Sequence, residues 1–199
     1  MIDLAKSVFM CDGRSVISSF QEKCQLQFGC CPEFRNVPCN GRDVSAEGYA
    51  NAVYGTLLMA LRSYFTSIVC VLDREQRRQS AIAFAECVKA AIIKKVVEST
   101  MYRKAELNEQ IIICVPDTMF ENWIVADVEG LKVYDALIKS TAIQQQSDGM
   151  SGATVLKRCM KVPYRKTIHA PKLFRAVSLH VAKTNSPSFN HLGYQTGLC

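Results

Sequence analysis

Acidic residues follow the apolar runs of this sequence, at the point where each run ends. They are Asp12, Asp73, Glu75, Asp117 and Glu121. If the runs are parallel strands, their carboxyl ends meet at one edge of a sheet, where open α/β proteins bind their ligands. Carboxylate oxygens are the ligands that Mg²⁺ prefers, and carboxylates this close are unfavourable without a cation. The pattern therefore predicts a site for Mg²⁺, or for Mn²⁺ in its place.

Asp73 and Glu75 form a pair with one residue between them, directly after a continuously apolar run. Both side chains lie on one side if the strand continues, and both can surround an ion if a loop begins there. An alternative is that Asp73 caps the following helix while Glu75 interacts with the helix dipole. The spacing alone is compatible with either interpretation.

Positive charge is grouped along the chain. There are 24 Lys and Arg against 18 Asp and Glu, a formal net charge of +6. The groups are Arg74, Arg77 and Arg78; Lys94 and Lys95; and Lys157, Arg158, Lys161, Arg165, Lys166, Lys172 and Arg175. Such groups either bind a polyanion such as nucleic acid or form a solvated helix face.

The elements that must position these residues alternate between apolar runs and helical patterns. We expect strands at residues 7–11, 34–39, 67–72 and 110–115. Helical periodicity follows at residues 15–28, 45–64, 79–100, 120–127 and 131–138. This order predicts an α/β fold, a parallel sheet flanked by helices. Pro38 makes the second strand an edge or near-edge strand, because proline cannot donate to a strand partner.

The last quarter of the chain has a different pattern. Residues 144–152 have no apolar period and contain Gln, Ser and Gly, which predicts a loop. We therefore expect an α/β core over residues 1–143, with a loop and helical C-terminal extension over 144–199 that packs on it. A helix is expected over 172–183, with Pro171 in its first turn.

Composition excludes several classes of protein. With 199 residues, 49% hydrophobic and 21% charged, the chain has the balance of one globular domain and not of a disordered or collagen-like chain. Its apolar runs are shorter than the roughly 20 residues of a membrane span. Asp3 and Lys6 do not fit a signal peptide. We expect a soluble, unexported, cytoplasmic protein that does not bind membranes.

The ten cysteines are expected to be reduced. Several lie inside apolar runs, where a thiol packs as a small hydrophobic group. One cluster could suggest a zinc site, but it lacks the paired Cys-x-x-Cys spacing that structural zinc normally shows. Its members are Cys24, Cys30, Cys31 and Cys39.

Five short segments carry a resemblance to a known family. They are residues 8–13, 67–75, 120–127, 164–167 and 186–189. Together they resemble the Toprim-like family of uncharacterised bacterial proteins called domain of unknown function 4276, over nearly the whole chain. The segment Glu-x-Trp-x-x-Ala-Asp, from Glu121 to Asp127, is the most distinctive of them.

The resemblance implies a Toprim-like Rossmannoid sheet that acts on phosphodiesters of nucleic acid with Mg²⁺. Asp12, before Gly13, matches the general acid/base position, where the family usually has Glu. Asp73 and Glu75 match an Asp-x-Asp metal pair. Hydrolysis without a covalent intermediate is expected, because no Tyr lies in a recognisable nucleophile motif.

The expected roles fall into three overlapping sets. They are Asp12, Glu121 and Lys166 for catalysis; Asp73, Glu75 and Glu121 for the metal; and Arg74, Arg165 and Lys166 for nucleic acid. Lys166 and Arg165 would neutralise charge on the phosphate or position the nucleic-acid backbone. The alternative for these two residues is an exposed basic loop.

The resemblance further implies an effector nuclease of bacterial anti-phage defence that works with a partner such as an ATPase, on either DNA or RNA. The competing class is a catalytically decayed interaction subunit of a larger defence complex, because Asp12 and Glu75 depart from the family pattern. A nucleotide-binding or transferase domain is disfavoured, because no glycine-rich phosphate loop follows any strand.

Overall fold

The computed structural model describes residues 1–37, 44–143 and 146–198. Within these ranges, four strands form one parallel sheet in the order β2-β1-β3-β4. They are β1 (Ser7–Cys11), β2 (Glu33–Asn36), β3 (Ser67–Val71) and β4 (Ile111–Cys114). The expected parallel sheet is confirmed, with β2 at its edge. Pro38, Cys39 of the cysteine cluster, and residues 144 and 145 of the expected loop lie outside the described ranges.

The helices cover both faces of the sheet. They are α1 (Arg14–Phe28), α2 (Ala46–Leu61), α3 (Ala81–Ser99), α4 (Lys104–Gln110), α5 (Glu121–Val125), α6 (Val128–Leu131), α7 (Gly152–Cys159), α8 (Lys166–Ala176), α9 (Leu179–Asn185) and α10 (Pro187–Thr196). Serine side chains cap α2 and α3: Ser45 accepts from the amide of Gly48, and Ser80 from that of Ala83. In the ranges that the structure describes, no helix is both long and apolar enough to cross a membrane.

Alternate residues of the strands enter two different cores. Phe9 and Val69 face the core that contains α1, α5, α8 and α10. Their neighbours Val8 and Ile68 face the core that contains α2 and α3. Strands buried on both faces explain the continuously apolar runs of the sequence.

The helix expected over residues 172–183 is wrong. α8 starts earlier, at Lys166, and contains Pro171 in its second turn; α9 is a separate helix capped by Ser178. Pro171 lies beyond the first turn and cannot donate to the carbonyl of Thr167, so the burial of its neighbours Leu173 and Phe174 in the core must outweigh the lost hydrogen bond. Lys23 helps to end α8, because its ammonium donates to the carbonyl of Arg175 at 3.1 Å and to that of Val177.

Two other helical expectations need correction. Residues 131–138 do not form a helix: α6 ends at Leu131, and turns follow as far as an isolated bridge between Ile138 and Met160. The helix α10 was not expected at all. Ser186 caps it and Pro187 occupies its first position, so a sequence that resembled a helix end also begins one.

The C-terminal extension contributes to the core. Phe174 of α8 packs against Phe120 with ring centroids 4.9 Å apart, and against Phe20 of α1 at 5.4 Å. Phe189 of α10 packs edge-on to Trp123 at 5.5 Å. Trp123 is fully buried. The extension therefore fixes α5, the helix that carries Glu121.

Candidate functional site

Three charged side chains from distant parts of the sequence meet at the carboxyl edge of the sheet. The ammonium nitrogen Nζ of Lys166 lies 3.3 Å from Oε2 of Glu121 and 3.8 Å from Oδ2 of Asp73. Both carboxylates are shielded from water, with side chains 3% and 15% exposed respectively, whereas the Lys166 side chain is 39% exposed. One partly accessible ammonium therefore lies between two shielded carboxyl groups.

The backbone around each carboxylate is held by the fold. The hydrogen-bond ladder between β3 and β4 continues past the ends of the strands. The amide of Leu72 donates to the carbonyl of Cys114 at 3.2 Å, and the amide of Arg74 donates to the carbonyl of Pro116 at 3.3 Å. Asp73 lies between these two bonds. It does not cap the following helix, because α3 begins at Ala81 with Ser80 as its cap. The capping alternative is therefore wrong.

Glu121 begins α5 between two aromatic residues, Phe120 and Trp123, that are fully buried. Its Oε1 accepts a hydrogen bond of 3.1 Å from the phenol of Tyr164. Its Oε2 is buried 3.3 Å from the ammonium of Lys166 and has no other hydrogen-bond partner among the described residues. A buried carboxylate oxygen with spare hydrogen-bonding capacity is unusual in a folded protein and fits a site that binds a further group.

The electrostatics of the cluster follow from burial and from like charge. Burial, the largest cause, raises the pKa of Asp73 to about 7; Lys166 opposes this rise, and Glu121, Glu75 and Asp12 add to it. For Lys166, burial lowers the pKa, but Asp73 and Glu121 outweigh it, so the net pKa lies above the usual value. Perturbed titration of this kind is typical of functional sites.

Tyr164, which the sequence suggested as a packing or phosphate-contacting residue, is a hydrogen-bond partner of Glu121. Burial first, and then Glu121, raise the pKa of the phenol well above its usual value. The phenol therefore stays protonated and acts as a donor to Glu121. No spacing rule connects Tyr164 with Glu121, so only its closeness to Lys166 in the sequence could have indicated it.

Asp12 and Glu75 belong to the same acidic environment at longer range, since each contributes to the raised pKa of Asp73. The amide of Asp12 donates to the carbonyl of Val71 at 3.1 Å, which places Asp12 beside the end of β3. Glu75 has a left-handed backbone (φ 55°), and its amide donates to Thr118 at 2.7 Å. The turn, rather than a continued strand, sets the direction of Glu75.

The two arginines predicted to contact nucleic acid lie in different environments. The guanidinium of Arg74 is mostly buried and is bonded to the carboxylate of Asp117 and to the carbonyl of Arg77. Arg165 is exposed where α8 begins, and its amide donates to Nδ1 of His169 at 2.9 Å. Arg165 is therefore presented to solvent beside Lys166, whereas Arg74 and Asp117 bind each other.

Asn122, the neighbour of Glu121, fastens the loop before α7. Its Nδ2 donates to the carbonyls of Ser147 at 2.6 Å and Met150 at 2.8 Å, and its Oδ1 accepts from the amide of Gly152 at 3.1 Å. A Cβ at Gly152 would lie 2.4 Å from the backbone of Glu121 and of Asn122. Only glycine allows α7 to approach the catalytic candidate this closely.

A second network joins Trp123 to the extension. The indole Nε1 donates to Oγ of Ser188 at 2.9 Å, and that hydroxyl donates to Oδ1 of Asp148 at 3.1 Å. Asp148 also accepts from the amide of Ser188 and the hydroxyl of Ser186, both at 2.7 Å. Ser188 was given no chemical role by the sequence, and the structure places it in this supporting network.

The structure brings two carboxylates, Asp73 and Glu121, to the same ammonium. Mg²⁺ takes one or two carboxylates and completes its coordination with water and substrate oxygens. Asp73 and Glu121 already share one cation, and Oε2 of Glu121 has capacity for another partner. Across the described residues, no group of three or more His, Cys, Asp or Glu side chains is arranged to bind a metal. Of the expected ligand set Asp73, Glu75 and Glu121, the structure joins Asp73 and Glu121 through the ammonium of Lys166.

A family model, Domain of unknown function (DUF4276), matches residues 34–194. The chain belongs to this family. The DUF4276 match includes Asp73, Glu121, Tyr164 and Lys166 but begins after β1 and Asp12. The resemblance found in the sequence is thus confirmed at family level, over a shorter range than expected. No curated protein and no solved structure matches the chain.

Proposed function

We propose that this DUF4276 protein is a metal-dependent phosphodiester hydrolase that cleaves nucleic acid. The observation that carries the proposal is the buried carboxylate of Glu121, which faces Asp73 across the ammonium of Lys166 at the carboxyl edge of a parallel sheet. Ligand sites of open α/β proteins lie at this edge. This edge holds carboxylates that would bind a metal ion and an ammonium that would bind phosphate.

Asp73 and Glu121 would hold Mg²⁺ or Mn²⁺, with Glu75 and Asp12 adding negative charge from a greater distance. Such an ion, when bound, polarises a phosphate oxygen and lowers the pKa of a water molecule. Tyr164 orients Glu121 through the hydrogen bond to Oε1. These roles agree with the Toprim-like resemblance, in which acidic residues after two strands act on phosphodiesters.

Lys166 is the residue best placed to bind the phosphate. Its ammonium is the partly exposed member of the cluster, so it reaches solvent while it remains close to the carboxylates. Arg165, exposed beside it, adds a second positive charge. Asp12, at the general acid/base position of the resemblance, would accept a proton from the attacking water.

The biological setting follows from the resemblance alone. We place the protein in the cytoplasm, as an effector of anti-phage defence that acts with a partner such as an ATPase. The second candidate is a decayed interaction subunit of a defence complex. It is favoured by the lack of a three-ligand metal group among the described residues.

Cleavage of a mixed panel of single- and double-stranded DNA and RNA, with Mg²⁺ or Mn²⁺ or with chelator, tests the proposal. Glu121→Gln keeps the size of the side chain and removes its charge. We expect metal-dependent cleavage by the wild type and a loss of about 100-fold or more in the variant. The matched control is Glu129→Gln, which alters an exposed glutamate of α6 and leaves cleavage unchanged.

Equal cleavage by wild type and Glu121→Gln would place the chemistry elsewhere and contradict the proposal. If the wild type cuts nothing and binds neither metal, the interaction subunit is supported instead. Binding of metal without cleavage would indicate that the partner must activate the site.

A further inference from the structure

The ammonium of Lys166 lies between Asp73 and Glu121, the two carboxylates of the proposed metal site. Its Nζ lies 3.3 Å from Oε2 of Glu121 and 3.8 Å from Oδ2 of Asp73. An ion bound to both oxygens would lie within a few ångströms of the ammonium. Two positive charges at such a distance in a partly buried site repel each other strongly.

The three side chains differ in their freedom to respond. Glu121 is fixed by Tyr164 and by the buried aromatic residues on either side of it. Lys166 starts α8, has a flexible four-carbon side chain and is 39% exposed. The ammonium can therefore leave toward solvent, whereas the carboxylate of Glu121 cannot move without disturbing the core.

We infer that Lys166 is an internal competitor of the divalent cation: the ammonium and the metal ion exchange for the same pair of carboxylates. Without metal, Lys166 pairs with both Asp73 and Glu121 and reduces the repulsion between them. With metal, it is displaced toward Arg165 and becomes free to bind a phosphate. This inference rests on the metal site of the proposed function and adds a control on its loading.

Isothermal titration calorimetry of the full chain with Mn²⁺, in the absence of nucleic acid, measures the Mn²⁺ affinity and tests the exchange. Lys166→Met removes the competing charge and keeps an apolar side chain of similar length. We expect this variant to bind Mn²⁺ about tenfold more tightly than the wild type. Lys166→Arg keeps the charge and is expected to bind Mn²⁺ about as weakly as the wild type does.

A second measurement uses the wild type alone and so does not depend on how the variants fold. Acetic anhydride modifies accessible amines, and mass spectrometry quantifies each site. We expect Mn²⁺ to increase acetylation of Lys166 relative to Lys94, an exposed lysine of α3. Circular dichroism of each variant confirms that the folds being compared are the same.

The outcomes separate this inference from the proposed function. If the wild type binds Mn²⁺ but Lys166→Met binds it no more tightly, and acetylation of Lys166 does not rise, the competition is overturned while the metal site stands. If neither protein binds Mn²⁺, the metal site itself is absent and both ideas fail.

Discussion

Protonation of Asp73 affects the free energy of unfolding. Burial raises the pKa of its carboxyl group from 3.8 to about 7 in the folded protein. Between these values the folded state holds a proton that the unfolded state has lost. Linkage then requires stability to fall as pH rises through this window, and to level off above pH 7.

Asp73→Asn removes this titration. We expect the wild type to lose up to roughly 4 kcal/mol of stability relative to the variant between about pH 4 and pH 7. Urea denaturation of both proteins across this range, in metal-free buffer, measures the difference. A constant difference in unfolding free energy across the range would show that Asp73 titrates normally, and would contradict the burial of its charge.

The sequence could predict the carboxylates but not their partners. A carboxylate just after an apolar strand must lie at the sheet edge, which located Asp73, and Glu121 was placed there because it follows the end of β4 in the sequence. The ammonium between them comes from a distant helix, and its predicted role was phosphate binding. That prediction is untested, and the contact with both carboxylates follows only from the packing of α8.

Arg74 is a residue whose position in the sequence was a poor guide to its contacts. Its position next to Asp73 suggested a nucleic-acid contact, yet its guanidinium is bonded to Asp117 and Thr118 of the neighbouring loop. Adjacent residues of an extended chain point in opposite directions, so closeness in sequence does not place two side chains in one site.

At the level of elements, the distance between α7 and α5 decides where Glu121 is held. Gly152→Ala would place a methyl group 2.4 Å from the carbonyl carbon of Glu121 and from the amide of Asn122. Because both contacts are with backbone, the helices must move apart. We expect a loss of about 3 kcal/mol in stability, together with reduced metal binding.

Gly55→Ala is the matched control, in the exposed part of α2 where an added Cβ meets nothing within 4 Å. That change is expected to stabilise the protein by about 1 kcal/mol, since alanine favours a helix more than glycine does. Thermal denaturation of both variants compares them. An unchanged melting temperature for Gly152→Ala would mean that α7 does not constrain α5.

Element boundaries were predictable where a local signal and the core agreed. Serine is a preferred capping residue, and Ser45 at the start of the expected helix 45–64 caps α2, whose buried residues lie along one face. Pro171 led to a wrong prediction of the helix start, because the sequence does not distinguish a proline in the first turn from one in the second turn. The core decides, since Leu173 and Phe174 must face inward.

For the whole molecule, the core and the extension are successive segments of the sequence, but they pack together in one hydrophobic core. The expected boundary near residue 143 separates segments that share one hydrophobic core: Phe174 and Phe189 pack with Phe120 and Trp123. The extension also supplies Lys166 and Tyr164 to the site. The site is therefore complete only in the folded full chain.

The parallel sheet was predictable because strand and helix patterns alternate, and that order allows few topologies. The sequence could not predict that α8 and α10 pack on the sheet face that α1 also covers. Periodicity identifies an amphipathic helix but does not indicate which face of the sheet it covers. Packing of aromatic rings between α1 and α8 settled it.

Anomalous diffraction from crystals of the full chain soaked in Mn²⁺ tests most directly whether Asp73 and Glu121 form a cation site. We predict an anomalous peak bounded by these two carboxylates, with the ammonium of Lys166 moved away from its position 3.3 Å from Glu121. Crystals that bind Mn²⁺ elsewhere, with Lys166 still between the two carboxylates, would contradict the account.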